Sequence, residues 1–390
     1  MRVAYIAPYQ GSSLIKRRPI IGNLSLAGNV KIELISKFLQ RNGKAIEILS
    51  QGEVIEHRLK IYPRFCEPKL FHPEIPVFYA SWLPIRFIRG FWSNWQMLRL
   101  FKTRHTINPF DAVIIYNLKR PQVFCANYAI KKLGLPVVLE YEDDAFVDIG
   151  GKSENGIKSE WYLKSVKEVL NAAAGGIGAS PYLLARMPEG IPKMLLRGVV
   201  DEDIVRAGNR PLSYRKNWVI FSGTHYRSKG LEPLIIAWKG LNPPGWELHI
   251  AGQGELTTVL EKMAGNDNSI VFHGLLNRQE YTRFLSEAKI GMNPHDLSDK
   301  PGNVFAFKII EYLGAGAHCI TTPMGELEPE IEAGITYMPD NKAETIAETL
   351  IQVITERRWE RSVAQYVWET YGSEAVSESL EVLLQKVLNN

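Results

Sequence analysis

Residues 295–316 read His-Asp-Leu-Ser-Asp-Lys-Pro-Gly-Asn-Val-Phe-Ala-Phe-Lys-Ile-Ile-Glu-Tyr-Leu-Gly-Ala-Gly, a polar loop followed by a short apolar run. The loop ends in Pro-Gly-Asn303, and the apolar run contains one acid, Glu311. Asparagine is a favoured N-cap residue, and glycine commonly follows the end of a helix. The pattern therefore predicts a helix that begins after Asn303 and stops at Gly314 and Gly316.

The start of this predicted helix is suited to a phosphate-bearing ligand. The first N–H groups of a helix are unpaired and carry partial positive charge, which favours a phosphate or a polar sugar group. Glu311 would lie about 12 Å further along the axis, at ~1.5 Å per residue. That offset is comparable to the distance between the sugar and the ribose of a nucleotide sugar. The alternative is a core helix that happens to carry one acid.

The composition indicates a globular protein of two domains. The chain has 390 residues, of which 45% are hydrophobic and 23% charged, and a single core rarely extends over so long a chain. Its three cysteines, Cys66, Cys125 and Cys319, show no paired spacing, which excludes a disulfide scaffold and fits a reducing cytoplasm. The N-terminal apolar run is too short for a signal peptide, and we expect no transmembrane helix.

Positive charge is concentrated in the first part of the chain. Residues 1–110 hold 17 lysines and arginines against 6 aspartates and glutamates, whereas the remainder is net negative. Within 82–104, bulky aromatic residues alternate with basic ones, and no acid occurs between positions 75 and 110. A basic aromatic helix of this kind can lie on an anionic membrane surface. The alternatives are a partly buried helix with solvated arginines, or a nucleic-acid site, which no accompanying motif supports.

Apolar strands alternate with helical patterns along both halves of the chain. In the first half, strands are predicted at 2–7, 45–49, 111–116 and 136–141, with a glycine-containing loop at 8–28. In the second half they are predicted at 218–222, 247–251, 270–272, 290–294 and 318–321. This alternation of strands and helices is typical of parallel α/β sheets, which bind ligands at the carboxyl ends of their strands. We expect two successive doubly wound domains, 1–206 and 207–372, and a final helix in 373–390 that packs back across their junction.

Several strand ends carry residues that could bind a ligand. Gly223 begins the pattern Gly-x5-Lys229-Gly230, in which the lysine could sit over a diphosphate, although most surface lysines are merely solvated. Glu142 and Asp143 open an acidic cluster that could hold a hard cation, form an exposed loop, or act as a base toward an acceptor. His295 could face a pocket or be a solvated loop residue.

Taken together, these segments resemble the retaining GT-B glycosyltransferases of family 4, also described as glycosyl transferases group 1. The resemblance is carried by Phe-Ser-Gly223…Lys229-Gly230, Ile-Ala-Gly-Gln-Gly254-Glu, Val-Phe-His273-Gly-Leu, and Phe-Ala-Phe-Lys-Ile-Ile-Glu311-Tyr-Leu-Gly-Ala-Gly. It extends over nearly the whole chain and is weaker in the first half. It implies an α/β GT-B fold with two Rossmann-like domains facing across a cleft, the first binding the acceptor and the second the donor.

The resemblance also implies roles for individual residues. Lys229 would bind the donor diphosphate, Glu311 the ribose hydroxyls, and the backbone at His273, Gly274 and Leu275 the base. The remaining donor contacts would come from Gly223, Thr224, Asn303, Val304, Phe305, Ala306 and Phe307. As acceptor-binding residues we expect Gly22, Gly28, Asn117 and His295, and we expect Glu142 or Asp143 to orient the acceptor hydroxyl.

Two departures from the family pattern concern the donor site. The family often has an arginine directly after the strand glycine, where this chain has Thr224. The family's pair of glutamates is here Asn303 and Glu311, and an amide can hydrogen-bond a sugar hydroxyl but contributes no charge. In such families a lysine and a helix N-terminus replace a metal ion, so the resemblance implies neither a metal nor a cofactor.

The predicted function is transfer of a sugar, a hexose by type, from a nucleotide-sugar donor, UDP- or GDP-linked, to a glycan or lipid-linked acceptor. This activity would belong to polysaccharide or glycoconjugate biosynthesis, in the cytoplasm and peripheral at the inner membrane face. One alternative is a non-catalytic GT-B binding protein, which the two departures would suit. The other is a nucleotide-sugar 2-epimerase of similar architecture, which needs no acceptor.

Overall fold

The computed structural model describes residues 1–18, 26–54, 60–67, 75–85, 88–143, 160–296, 305–325 and 327–389. The chain divides into two compact units. The first unit consists of Met1–Leu196 together with Val376–Asn390, and the second consists of Arg197–Ala375. The sequence places the corresponding boundaries after residues 206 and 372.

The first unit is built on a sheet of eight strands in the order β3-β4-β2-β1-β5-β6-β7-β8. Every neighbouring pair is parallel except β3 and β4. The strands are β1 (Arg2–Ile6), β2 (Ala45–Ser50), β3 (Phe65–Glu67), β4 (Val77–Tyr79), β5 (Ala112–Tyr116), β6 (Val137–Tyr141), β7 (Gly175–Gly178) and β8 (Lys193–Leu195).

Helices cover this sheet, so its central strands are buried along their whole length. The helices are α1 (Ser12–Arg17), α2 (Leu26–Arg41), α3 (Arg89–Ile107), α4 (Arg120–Tyr128), α5 (Glu160–Asn171) and α6 (Pro181–Ala185). A π-helical turn at 129–133 extends α4. Most of the last helix of the chain, α15 (Ser373–Asn389), also belongs to this unit, where Lys44 Nζ lies 2.9 Å from Glu381 Oε1.

The second unit contains a parallel sheet of six strands in the order β11-β10-β9-β12-β13-β14. The strands are β9 (Trp218–Ser222), β10 (Glu247–Ala251), β11 (Ile270–Gly274), β12 (Ile290–Asn293), β13 (His318–Thr321) and β14 (Ile335–Tyr337). The helices are α7 (Glu202–Gly208), α8 (Leu231–Leu241), α9 (Thr257–Ala264), α10 (Arg278–Glu287), α11 (Lys308–Gly314), α12 (Pro329–Glu332), α13 (Ala343–Thr355) and α14 (Ala364–Tyr371). Trp238 and Trp246 pack in its buried core.

Both sheets have the strand order that creates a ligand site. In the first unit β1 has β2 on one side and β5 on the other. In the second unit β9 has β10 on one side and β12 on the other. Ligands of open α/β sheets bind beyond the carboxyl ends of the strands at such switch points. The β1/β5 and β9/β12 ends are therefore the places to search for a site.

The helix predicted after Asn303 begins later than expected. α11 starts at Lys308, with Phe307 as its N-cap residue and no side-chain cap, so the prediction of Asn303 as the N-cap is wrong. The residues just before the helix pack against other parts of the second unit and do not form a further helical turn. Phe305 is buried with the Arg197 guanidinium 5.2 Å from its ring centre, and the Phe307 ring lies against Gly198. Glu311 consequently lies in the first turn of a short helix.

Candidate functional site

The second unit brings two loops together at the carboxyl ends of β9 and β12. After β9, a 3-10 turn at Arg227–Lys229 carries the predicted diphosphate lysine. The Asp296 N–H, just beyond β12, donates to the Ser228 carbonyl at 2.9 Å. Gly230 has φ +69°, and a Cβ at this position would collide with the Pro294 carbonyl. The close approach therefore requires glycine, and it holds the turn of Lys229 against the end of β12.

Lys229 and His295 are neighbours in this site. Lys229 is half-buried, and its Nζ lies 3.4 Å from Nδ1 of His295. The His295 side chain is buried, and its carbonyl accepts a hydrogen bond from Thr322 Oγ1 at 2.7 Å. The sequence assigns Lys229 to the donor and His295 to the acceptor, whereas the structure brings the two side chains together at one strand end. His295 is not a solvated loop residue.

Lys308 is a second cation at the same strand end, and the sequence analysis missed it. Its Nζ lies 3.8 Å from the ring centre of Phe221 and would be 2.9 Å from a Cβ placed on Gly223. Burial, with a further contribution from the charge of Lys229, lowers the pKa of Lys308 well below its ordinary value. A signal existed in the sequence, because Lys308 interrupts an apolar run three residues before Glu311.

Glu311 belongs to a chain of hydrogen bonds that reaches β9. Its Oε2 accepts from the Tyr281 hydroxyl of α10 at 2.7 Å, and Tyr281 lies 3.1 Å from Ser222 Oγ. Ser222 in turn contacts Tyr312, whose hydroxyl accepts from the Ser222 N–H at 2.8 Å. Burial raises the pKa of Glu311 to about 7. This carboxyl can therefore change its charge close to neutral pH when a ligand changes its surroundings.

The predicted base-contacting residues lie at the end of β11 and directly after it. The Gly274 carbonyl accepts from the Gly252 N–H at 2.7 Å, and Leu275 is exposed. The His273 ring is 2.8 Å, Nε2 to Nδ1, from His249. Burial lowers the pKa values of both imidazoles. The side chain of His273 is thus occupied within the unit, and exposed backbone and Leu275 are what this end of β11 offers to a ligand.

The other predicted donor residues fall in two groups. Thr224 is half-buried directly after Gly223, and Ala306 precedes Phe307 in the segment before α11. Asn303 and Val304 lie outside the described residues, as does Gly22 of the predicted acceptor site.

The first unit has a cavity of about 210 Å³ at the carboxyl ends of β1, β2, β5 and β6. Its lining brings together three residues that the sequence analysis selected, Gly28, Asn117 and Asp143. Much of the remaining lining is neutral and polar, including Gln10 and Gln51. Amide and carboxylate groups around a small cavity can hydrogen-bond hydroxyl groups, as a sugar requires.

Asn117 shapes one wall of this cavity. It adopts φ +59°, and its Oδ1 accepts from the N–H groups of Glu142 at 2.7 Å and Asp143 at 3.1 Å. Its Nδ2 donates to Asp143 Oδ2 at 3.1 Å. The amide of Asn117 therefore fixes the loop that presents Asp143, in addition to lining the cavity.

Glu142 and Asp143 are in different environments. Glu142 forms an ion pair with the buried Lys31, which also lies 3.8 Å from Glu140 and donates to the Leu196 carbonyl at 3.1 Å. Burial raises the pKa values of Glu140, to about 7, and of Glu142. Asp143, in contrast, lines the cavity. Of the two acids, Asp143 has the better position to contact a bound hydroxyl.

Metal binding finds no support in the described part of the chain. Among those residues, no group of three or more histidine, cysteine, aspartate or glutamate side chains could hold a metal ion. Asp144 and Asp148, which the sequence places in the same acidic cluster as Glu142, lie outside the described residues.

The basic aromatic helix α3 presents large apolar side chains to solvent. Ile88, Phe91 and Trp95, spaced to share one face, are 46%, 75% and 47% exposed. The Arg99 guanidinium lies 5.8 Å from the Trp95 ring, whereas Arg104 is held by Glu47 through two hydrogen bonds of 2.9 and 2.7 Å. Over the described ranges, no helix is long and apolar enough to cross a bilayer.

Comparison with known proteins identifies the fold, and a family model matches one segment of the chain. Residues 216–356 match the family model described as Glycosyl transferases group 1. No curated protein matches the sequence significantly. A sucrose-phosphate synthase from Thermosynechococcus elongatus has a similar structure, with a TM-score of 0.75 and 16% identity over 100% of both chains.

Two further solved structures are similar at lower identity. The catalytic domain of starch synthase IV from Arabidopsis thaliana, bound to ADP and acarbose, has a TM-score of 0.65 and 12% identity over 100% of both chains. Anabaena HepE in complex with UDP has a TM-score of 0.65 and 12% identity, over 99% of this chain and 100% of that chain. These likenesses and the two Rossmann-like sheets show that the chain has the GT-B fold, which confirms the predicted fold class.

Proposed function

We propose that this protein is a retaining glycosyltransferase that moves a hexosyl group from a UDP- or GDP-sugar to a glycan or lipid-linked acceptor. The observation that carries the proposal is the position of Lys229 and Glu311. Lys229 lies in the loop after β9, and Glu311 is linked to Ser222 at the end of β9 through the Tyr281 hydroxyl. This strand end is at the switch point of a sheet that lies within the segment matched by the Glycosyl transferases group 1 model. An ammonium group and a carboxyl group there suit a diphosphate and ribose hydroxyls respectively.

In the proposed reaction, the acceptor oxygen bonds to the anomeric carbon of the donor sugar. The bond between that carbon and the diphosphate oxygen breaks, and the acceptor proton passes to the leaving diphosphate. Negative charge that develops on the diphosphate is stabilised by Lys229 in a site from which water is excluded. No metal takes part in this proposal. The amide-lined cavity of the first unit would hold the acceptor, with Asp143 directed at its hydroxyl.

The proposal also includes attachment to an anionic membrane surface through α3. The exposed side chains of Phe91 and Trp95 could enter the interface, while Arg99 faces lipid head groups. A lipid-linked acceptor would be presented at such a surface.

The first test is a thermal-shift screen with UDP-, GDP- and ADP-sugars on the wild type and on Lys229→Met. A ligand at about 100 times its Kd stabilises the native state by about 2.7 kcal/mol. We expect one class of sugar nucleotide to raise the melting temperature of the wild type and to have little effect on Lys229→Met. Lys262→Met, on the exposed surface of α9, is the matched control and should respond as the wild type does.

The products then identify the reaction. Mass spectrometry and NMR of the donor after incubation should show slow hydrolysis without acceptor and no epimer, and the linkage formed with acceptor should keep the donor's anomeric configuration. An epimer would indicate the 2-epimerase instead. Binding without any turnover would indicate a non-catalytic GT-B protein, and the absence of binding to all three classes would refute the proposal.

A further inference from the structure

The Nζ of Lys308 is buried and has no hydrogen-bond partner among the described residues. The side chain runs from the first residue of α11 to the end of β9, where Nζ lies over the Phe221 ring and against Gly223. An ammonium group removed from water without a hydrogen-bonding partner is costly, and proteins normally avoid it. A buried lysine at the switch point is therefore unusual unless a ligand supplies the missing partner.

Four titratable groups have electrostatic interactions with Lys308. They are Lys229 and His225 from the loop after β9, Glu311 from the next positions of α11, and Cys319 of β13. Glu311 is hydrogen-bonded to Tyr281 and makes no ion pair with Lys308 within the part of the chain that is described. Lys229 and Lys308 thus lie near one strand end, and the Nζ of Lys308 has no hydrogen-bond partner among the described residues, an arrangement that can attract an anion.

We propose that Lys308 is a second diphosphate-binding residue, which acts beside Lys229 at the carboxyl end of β9. This inference rests on the proposed function, because it takes the anion to be the diphosphate of a sugar nucleotide. Thr224, directly after Gly223, contributes no charge to the strand end. Lys308 reaches the same strand end from α11, with Nζ only 2.9 Å from where a Cβ of Gly223 would lie. A diphosphate with several negative oxygens is better matched by two cations than by one.

The alternative is that Lys308 serves only to pack against Phe221. The two roles predict opposite changes in the ligand-free protein. If the lysine packs the core, replacing it should lower the melting temperature. If it binds an anion, Lys308→Met keeps most of the length of the side chain and removes a buried amine that has no hydrogen-bond partner among the described residues, so the melting temperature should stay the same or rise.

The test compares two ligands by calorimetry, the nucleoside diphosphate whose sugar the wild type accepts and the matching nucleoside. In Lys308→Met, the affinity for the nucleoside should be unchanged and that for the diphosphate should fall roughly tenfold to a hundredfold, the range expected for one hydrogen bond to a charged group. Lys289→Met is the matched control, because this lysine also lies over aromatic rings, 5.7 Å from Trp246 and 5.4 Å from Trp359, but at the amino end of β12. Its affinities for both ligands should equal those of the wild type.

The outcomes separate this inference from the proposed function. If the wild type binds the diphosphate and Lys308→Met keeps the same ratio of diphosphate to nucleoside affinity, the inference is overturned and the proposed function stands. A parallel loss of both affinities with a lowered melting temperature also overturns it, since that is the signature of packing. If the wild type binds no nucleotide, both fail. Lys308→Gln provides the same comparison if the methionine variant does not fold.

Discussion

At the scale of single residues, the candidate donor site contains ionisable side chains whose charged forms are destabilised by burial. Burial raises the pKa of Glu311 to about 7 and lowers the pKa of Lys308. Such opposite shifts at one strand end are common in binding and catalytic sites, because the ligand supplies the interactions that the protein lacks. The sequence shows these residue types, but it does not show that both side chains turn inward.

Glu311 should make the stability of the second unit depend on pH. Its pKa is raised from 4.5 to about 7, so the folded protein holds a proton between these pH values that the unfolded chain has released. The unfolding free energy should therefore fall as pH rises through this range. In Glu311→Gln the fall should be smaller, by on the order of 2 kcal/mol.

This comparison is made by thermal unfolding of both proteins at a series of pH values from about 4.5 to 8. The exposed Glu330→Gln in the same unit serves as control and should follow the wild type. Wild-type and Glu311→Gln curves that run parallel over the whole range would contradict the prediction.

At the scale of elements, the sequence predicts the central strands and their ends well and the edges poorly. Strands such as β1, β5 and β9 are largely apolar runs, and their carboxyl ends are followed by the glycines and polar residues that the sequence analysis selected. The three-residue strands β3 and β4 were not predicted, because so short a segment has no periodicity to detect. β4 forms by pairing with β2, and β3 by pairing with β4, and both pairings are tertiary events.

The start of α11 shows a second limit of sequence reasoning. Local capping preferences favour Asn303, but burial of Phe305 and packing of Phe307 against Gly198 delay the helix to Lys308. These contacts join residues about a hundred positions apart, so no local sequence pattern predicts them. Tyr281, which holds Glu311 from another helix, was missed for the same reason.

Helix α3 is expected to bind anionic membranes through its exposed aromatic face. The double variant Phe91→Ser with Trp95→Ser should bind at least about a hundredfold more weakly, since full burial of each of these two side chains contributes about 1.5–3 kcal/mol. Sedimentation with vesicles of mixed anionic and zwitterionic lipid measures the bound fraction. Wild-type binding should also weaken as salt is raised.

Trp161→Ser is the matched control for α3, because Trp161 is 58% exposed in the same unit but lies on α5. It should sediment as the wild type does. Equal binding by the double variant and the wild type would rule out α3 as the membrane-facing element.

At the scale of the whole molecule, each unit contains its own candidate site. The proposed donor residues Lys229, Lys308 and Glu311 belong to the second unit, and the cavity beside Asp143 belongs to the first. The proposed function thus assigns recognition of the two substrates to separate sheets, each at its own switch point. The proposed function then makes a prediction about variants that affect one substrate only.

Asp143→Ala should retain nucleotide-sugar binding and lose transfer. The carboxylate lines the first-unit cavity and accepts from Asn117 Nδ2, so its removal affects the acceptor hydroxyl and leaves the second unit unchanged. We expect transfer to fall by about a hundredfold, the loss that follows when a reacting hydroxyl is no longer held in position. The thermal shift with donor should equal that of the wild type. Unchanged transfer would remove Asp143 from the proposed mechanism.

The glycines beyond β9 and β10 have a consequence for how fast a nucleotide is captured. Cβ atoms at Gly230 and Gly252 would collide with the carbonyls of Pro294 and Gly223, so these loops interlock main chain against main chain. Loops fixed in this way have few alternative backbone conformations to lose when a ligand binds. Association at this face should therefore follow a single exponential, without a slower rearrangement step after first contact.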